Sequence, residues 1–376
     1  MSVSVRTVVK SVLFPVFIFL HLSCAASDEG VIRSGQLWPD TDGQHINAHG
    51  GGIMKYGDTY YWFGEHKAAG TSNALVGVMC YKSEDLLHWH NCGAALSVSK
   101  DKGSDIERGC VIERPKVIYN AQTGKFCMWF HLELRGRGYN AARYGVAVSD
   151  NPEGPYQFLY SQRVNPGVYP ADFSEKDIAA LDTLHPKDYR QWWTPQWHDA
   201  VRKGLFLKRD MRGGQMSRDM TLFVDDDGKA YHIYSSEDNL TLHIAELADD
   251  YLHHTGRYVR VAPAGHNEAP AVFKKDSTYW MITSGCTGWE PNEARMFSAP
   301  SIWGPWTQHP TPCRGKNAAK TFGGQSTYVL PYAGGFIFMA DIWRPRHPID
   351  ARYIWLPIDF EDGLPVIRWC DEWQLW

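Results

Sequence analysis

The chain has 376 residues, with 38 Lys and Arg set against 42 Asp and Glu, for a formal net charge of −4. That near balance excludes a polyanion-binding surface, so no nucleic-acid partner is implied, and the length suits one large folded domain. Aromatic residues make up 14% of the chain (16 Trp, 19 Tyr, 16 Phe); such residues favour strands and also supply flat faces for sugar rings.

The first 26 residues read as an export signal. Arg6 and Lys10 form a basic start, Ser11 to Leu22 is apolar but too short to span a bilayer, and Ser23-Cys24-Ala25-Ala26 offers small residues for cleavage. Cleavage after Ala26 would release a soluble protein. Cleavage before Cys24 would leave a lipid-modified cysteine, as in bacterial lipoproteins, and the acidic Asp28-Glu29 suits such an anchor although His21 departs from the usual aliphatic residue. The reading leans to the anchor, at the periplasm or cell surface, with the membrane touched only through Cys24; the other route is secretion. Without Cys24, seven cysteines remain: Cys80, Cys92, Cys110, Cys127, Cys286, Cys313 and Cys370. An odd count cannot complete a disulfide framework, and no CxxC offers zinc a site. Cys80 and Cys92 flank one hairpin and are the pair placed to be bridged; most of the others read as buried free thiols.

Val31 to Ile46 is a lead-in that could close a ring against the end of the chain. Beyond it one plan occurs five times: a lead residue, a short apolar run, a tight turn and an aromatic run, which is a hairpin by alternation and turn chemistry. The copies are Gly50 to Trp62, Glu113 to Trp129, Asp219 to Tyr234, Glu268 to Thr283 and Gln325 to Phe338. Their spacing is that of four-stranded blades, which predicts an all-β, five-bladed propeller filling residues 31–376. Blade one runs from Asn47 to Val98, blade two from Cys110 to Tyr160, blade three from Ser217 to Ala262 and blade four from Gly265 to Pro312, with blade five filling the remainder. Residues 162–215 match no blade. They form an insertion between blades two and three, with Ser174 as N-cap of a helix through Leu181 and then Trp192, Trp193 and Trp197. The insertion reads equally as a wall of the pocket or as a solvated decoration. Asp225-Asp-Asp-Gly228 resembles a calcium loop but falls between two strands and is read as a turn.

The first strand of each propeller blade lines the central axis, so the five lead residues Gly50, Glu113, Asp219, Glu268 and Gln325 converge at one mouth. Cleaving a glycosidic bond with inversion requires a protonated acid at the leaving oxygen and an acceptor that orients water on the opposite face. The acid keeps its proton near neutral pH only if burial or a neighbouring charge raises its pKa. Glu268 beside Ala269-Pro270, with Asp219 as the ionised neighbour, suits that demand. His49, His66 and His266 also fall near lead residues and are read as polar lining; no metal ligand set stands out, and a calcium at the axis has no support in the sequence.

The five hairpins resemble glycoside hydrolase family 43, a family of five-bladed, inverting and often exo-acting hydrolases, over Asn47 to the C-terminus. The resemblance places the acid at Glu268 and the residue that modulates it at Asp219. It places the usual Asp base at Gly50, ahead of the intact Ile53-Met-Lys-Tyr-Gly-Asp-Thr-Tyr-Tyr61. Loss of that Asp, with Gln325 opening blade five after Gly323-Gly324 and Glu113 opening blade two, resembles the exo-β-1,3-galactanase branch. The resemblance implies that Gln325 orients the water, through an imidic acid tautomer, and that Glu113 is a sugar ligand or auxiliary carboxylate. Glu65, Asp238, Asn239 and Thr287 are further candidates for substrate contact, with Tyr144 and Trp289 as stacking faces. The expected activity is release of galactose from β-1,3-galactan, the arabinogalactan backbone. The alternatives are an α-L-arabinofuranosidase or β-xylosidase of the same family, or a sugar-binding propeller that has lost catalysis.

Overall fold

In the computed structural model, which describes Met1 and residues 30–376, five separate antiparallel sheets follow one another along the chain. The export-signal reading lies outside the described residues. Each of the first four sheets has four strands in sequential order, as expected where short connections join neighbouring strands. Their innermost strands are His49–Tyr56, Val111–Asn120, Met220–Val224 and Asn267–Lys275. The fifth sheet starts at Gln325–Tyr332 and gains a fifth strand, Cys313–Arg314, which runs parallel to Leu364–Arg368. The sheets are the five predicted blades of a β-propeller.

Ring closure is made by the lead-in. Val31–Ile32 pairs antiparallel with Trp373–Gln374, so both ends of the described chain meet beside blade one. The seam between blades five and one is filled by Trp38, Trp62, Trp89, Tyr353 and Trp355, with ring centroids 4.6–6.1 Å apart and mostly edge-on. Removing one such ring from a close-packed seam costs about 3–5 kcal/mol.

The insertion folds into three short helices, α1 (Glu175–Leu181), α2 (Pro195–Arg202) and α3 (Leu205–Asp210). Ser174 caps α1 with a full capping box to Asp177, and Thr194 caps α2. Trp197 of α2 is fully buried against Leu205, Phe206 and the flank of blade three. The insertion therefore packs behind blade three, and none of its residues lines the axial pocket. The Asp225–Gly228 segment is a turn between two strands. The described cysteines are free thiols, Cys80 and Cys92 included, so the expected bridge is absent.

Candidate active site

The innermost strand of a blade begins at the axis, and in four blades it begins irregularly. The register slips between His49 and Gly52, Glu113 and Lys116, Glu268 and Ala271, and Ser326 and Tyr328. Each slip is a β-bulge, a device that bends the strand and re-aims a side chain. In three of them the residue after the lead has a left-handed backbone: Gly50 (φ 62°), Arg114 (φ 57°) and Ala269 (φ 52°). Strand register identifies the true lead positions by their partners. Glu113 faces His131, Glu268 faces Ser284, Gln325 faces Asp341, and the Ser235 amide donates to the Asp219 carbonyl.

In blade one the residue in this position is His49, opposite Glu65. The sequence reading of Gly50 as lead is off by one, because a run of three glycines leaves the register of the bulge unmarked. His49 is fully buried and turns away from the mouth, stacking on Tyr353 at 5.3 Å with Nδ1 3.9 Å from Asp341. Gly50 contributes only backbone, its amide donating to Asp341 Oδ2 at 2.7 Å. A Cβ at Gly50 would collide with Glu65 Oε1, so blade one fills this corner from its second strand.

Around the mouth lies a cavity of about 360 Å³ lined by Glu65, Glu113, Asp219, Asn239, Glu268, Trp289 and Gln325. Side chains that the sequence reading did not single out join them: Lys67, Arg114, His131, Tyr139, Arg218 and Trp343. Arg114 sits at the centre. Its Nη2 donates to Asp219 Oδ2 at 2.8 Å and to Gln325 Oε1 at 2.6 Å, while Nη1 donates to the Ser326 carbonyl. Asp219 Oδ2 also accepts the Ala269 amide at 3.1 Å, which ties blade three to the strand carrying Glu268. Asn239 Nδ2 donates to Glu268 Oε1 at 2.7 Å. Gln325 Nε2 donates to Ser284 Oγ at 2.9 Å and approaches Glu268 Oε2 at 3.5 Å, and its oxygen takes a second donor from Trp343 Nε1 at 2.8 Å.

The electrostatics separate the carboxyls into two kinds. Burial, and then the charge of Asp219, raise Glu268 to about 7 against the pull of Arg114. Glu113 is buried too, which alone would raise it, but its bond to His131 Nδ1 (3.0 Å), the nearby Lys67 and the Tyr139 hydroxyl (2.7 Å) bring it down to about 2. His131 is held from both sides, by Glu113 and by Glu133 at 3.0 Å, and these bonds overcome its burial and lift it to about 9. Glu65 is paired with Lys67. Just below neutral pH Glu268 thus carries a proton beside a charged, hydrogen-bonded set. Glu113, His131 and Asp219 bring ligand atoms within 4.8 Å of one another. Both ring nitrogens of His131 are already committed to carboxylates, so the trio is a charge network rather than an open metal site.

Three sequence candidates fall elsewhere. Tyr144 is buried between Trp129, stacked at 4.8 Å, and His254, where it packs blade two against blade three and presents no face to a ligand. Asp238 does not line the cavity; its carboxylate is held by Arg209, with Arg218 3.6 Å away. Thr287 is also outside the lining and donates to the Glu290 carbonyl at 2.6 Å. Three of the six residues missed by sequence reading are marked by their distance from a lead's strand partner. Lys67 and Trp343 each stand two residues after a lead's partner, Glu65 and Asp341, and His131 is itself such a partner.

A five-bladed propeller with a proton-holding carboxylic acid facing charged carboxylates at its axis is the construction of a glycosidase. The family model of glycosyl hydrolases family 43 matches residues 193–334. The chain is 62% identical to a family 43 β-1,3-galactosidase solved with galactodeoxynojirimycin, covering 92% of this chain and 100% of that one with a TM-score of 0.90. It is 33% identical to an exo-β-1,3-galactanase from Phanerochaete chrysosporium solved with β-1,3-galactotriose, covering 92% of this chain and 68% of that one with a TM-score of 0.72. A curated xylan 1,3-β-xylosidase from a Vibrio species is 25% identical over 85% of this chain, which spans 54% of that protein's length. The chain belongs to glycoside hydrolase family 43.

Proposed function

We propose that the protein is an exo-acting, inverting glycoside hydrolase that releases galactose from β-1,3-linked galactan. The observation that carries this reading is the pairing of Glu268, raised to about 7, with Asp219 and Arg114 in an axial pocket. The likeness to β-1,3-galactosidases over nearly the whole chain supports the sugar and the linkage. The cavity charges pair internally: Glu65 and Glu113 with Lys67 and His131, and Asp219 with Arg114. Such a lining offers donors and acceptors without a strong net field, which suits a neutral polyol rather than an anion. Asn239 Oδ1 and Arg218 Nε are buried without a partner among the described residues, and both belong to residues of the lining.

In this mechanism Glu268 protonates the leaving oxygen. Asp219 keeps Glu268 protonated in the resting enzyme and is itself held by Arg114 and the Ala269 amide. Glu113, locked in its ionised form, and Glu65 accept hydrogen bonds from sugar hydroxyls, and Trp289 provides a stacking face at the rim. Gln325 holds the attacking water. The transition state resembles an oxocarbenium ion, so the attacking water loses its proton late, to bulk solvent, and the demand on a base is small. Solvent also returns a proton to Glu268 after the leaving sugar has taken its own. Inverting enzymes keep acid and acceptor about 6.5–9.5 Å apart. Gln325 therefore swings away from its 3.5 Å approach to Glu268 when the sugar enters between them. The sequence reading of an anchored or secreted protein acting on arabinogalactan outside the cell fits this activity.

The test is proton NMR of the purified protein with β-1,3-galactobiose, following the first anomer released. Galactose appearing first as the α-anomer is the expected result. Binding of the sugar without release would turn the assignment to a non-catalytic lectin, and release of β-galactose would exclude the inverting route.

A further inference from the structure

Residues 162–215 stay out of the pocket, yet two or three bonds connect them to the acid. Between the second and third strands of blade three, Glu237, Asp238 and Asn239 are all left-handed, with φ of 53°, 56° and 65°. A left-handed backbone is unfavourable for a non-glycine residue, so three in succession persist only where the surroundings over-determine them. Each has its own clamp. Glu237 is fully buried, takes Arg260 through both oxygens at 2.7 and 2.8 Å, and faces His243 Nε2 at 3.0 Å. Asp238 is held by Arg209 Nη1. Asn239, the last of the three, donates to Glu268 Oε1 at 2.7 Å.

Both arginines belong to or grip the insertion. Arg260 donates to the Val201 and Arg202 carbonyls at the C-terminal end of α2, each at 2.8 Å. Arg209 lies in α3 itself. Its Nε and Nη2 engage Asp210 at 2.9 and 2.7 Å, and its guanidinium lies over the Phe206 ring at 4.5 Å. The fork is thus oriented before it meets Asp238, which only a planar guanidinium allows.

We propose that Arg209 is a positioning residue for the acid: by holding Asp238 it keeps the 237–239 turn left-handed and aims the Asn239 amide at Glu268. The insertion then acts as a buttress for the acid from behind blade three. This inference rests on the glycosidase reading given above. Glu268 is faced by Asp219 from blade three, Arg114 and Glu113 from blade two, Cys286 from its own blade, and the neutral Gln325 and Asn239. Of these, only the Asn239 contact runs through Arg209.

The experiment measures kcat and KM on β-1,3-galactobiose across about pH 4–9 for the wild type, Arg209→Met, Asn239→Ala and the double variant. Arg209→Met is expected to lower kcat by about tenfold or more, as a misplaced catalytic group does, with KM within about twofold. The basic limb of kcat/KM should move upward, because the Glu268 carboxylate loses a donor that favours its ionised form. The double variant should match Asn239→Ala alone, since a residue that acts through another adds nothing once that other is gone. Additive losses in the double variant, or a lower Tm with kcat and the limb unchanged, overturn the inference. Should Arg209→Met fail to fold, Asp238→Asn removes the charge from the same link at nearly constant volume and carries the same expectations in direction, at smaller size. An inactive wild type overturns the galactosidase reading and this inference with it; an active wild type with additive losses overturns the inference alone.

Discussion

Replacing Asp219 by Asn removes one negative charge while keeping an acceptor for Arg114 Nη2 and the Ala269 amide, the two groups it holds at 2.8 and 3.1 Å. Glu268 is raised to about 7 by burial and then by this charge, and Arg114 opposes the rise. Two unit charges roughly 6–8 Å apart, at an effective dielectric of about 20, interact by about 2–3 kcal/mol. At about 1.4 kcal/mol per pKa unit, that corresponds to about 1.5–2 units. Without Asp219, Arg114 also loses its counter-charge and pulls further in the same direction. In the proposed mechanism the working form of Glu268 is protonated, and it disappears as pH rises through its pKa. The basic limb of kcat/KM on β-1,3-galactobiose should therefore fall from about 7 to about 5–5.5. Initial galactose release across the pH range measures this directly. A variant that is slower but whose limb stays near neutrality would refute the coupling and leave Asp219 with a purely structural part.

Glu268→Gln should reduce turnover of galactobiose by about 10²–10⁴, the usual worth of a general acid, while sugar binding by calorimetry persists. The same change should stabilise the fold at pH 8. A carboxyl whose folded pKa lies above its unfolded value costs stability as pH rises between the two; a shift from 4.5 to about 7 corresponds to on the order of 3 kcal/mol above that window and nothing below it. Thermal melts at pH 4 and pH 8 check the sign, and equal effects at both would contradict it. Gln325→Glu puts a second carboxyl beside Glu268 and Arg114, so the basic limb should move up by about a unit; an unmoved limb argues against the contact. Gly50→Asp should fail to increase activity and should destabilise by about 2–4 kcal/mol, combining a left-handed φ of 62° with collision against Glu65. A faster, equally stable variant would show that the corner is open after all.

The architecture was legible because it is periodic. Apolar runs, tight turns rich in Gly and Asp, and aromatic strands repeat at blade length, and the ladders Glu113↔His131, Glu268↔Ser284 and Gln325↔Asp341 fall where the repeat puts them. What the repeat could not carry was anything set by the bulges. The slip at His49–Gly52 moves the blade-one lead by one residue, and three successive glycines give no side-chain pattern from which to see it. Arg114 escaped notice because the position after a lead reads as backbone in the other copies, as Gly50 or Ala269. Tyr144 was misassigned because an aromatic residue at a blade edge looks the same in sequence whether it meets a sugar or, as here, the rings of Trp129 and His254. The insertion has no repeat to be compared with, and its grip on Asp238 and Glu237 depends on contacts between residues 23–59 positions apart.

The occupied corner at Gly50 also has an evolutionary consequence. A carboxylate can enter that position only if Glu65 moves, and Glu65 is bound to the buried Lys67, which would then keep only Glu113 as a neighbouring counter-charge. A single substitution at Gly50 or at Glu65 therefore meets a clash or breaks a buried ion pair, so the two positions change only together. The geometry behaves as a latch: the corner stays filled from the second strand because neither side can be altered alone.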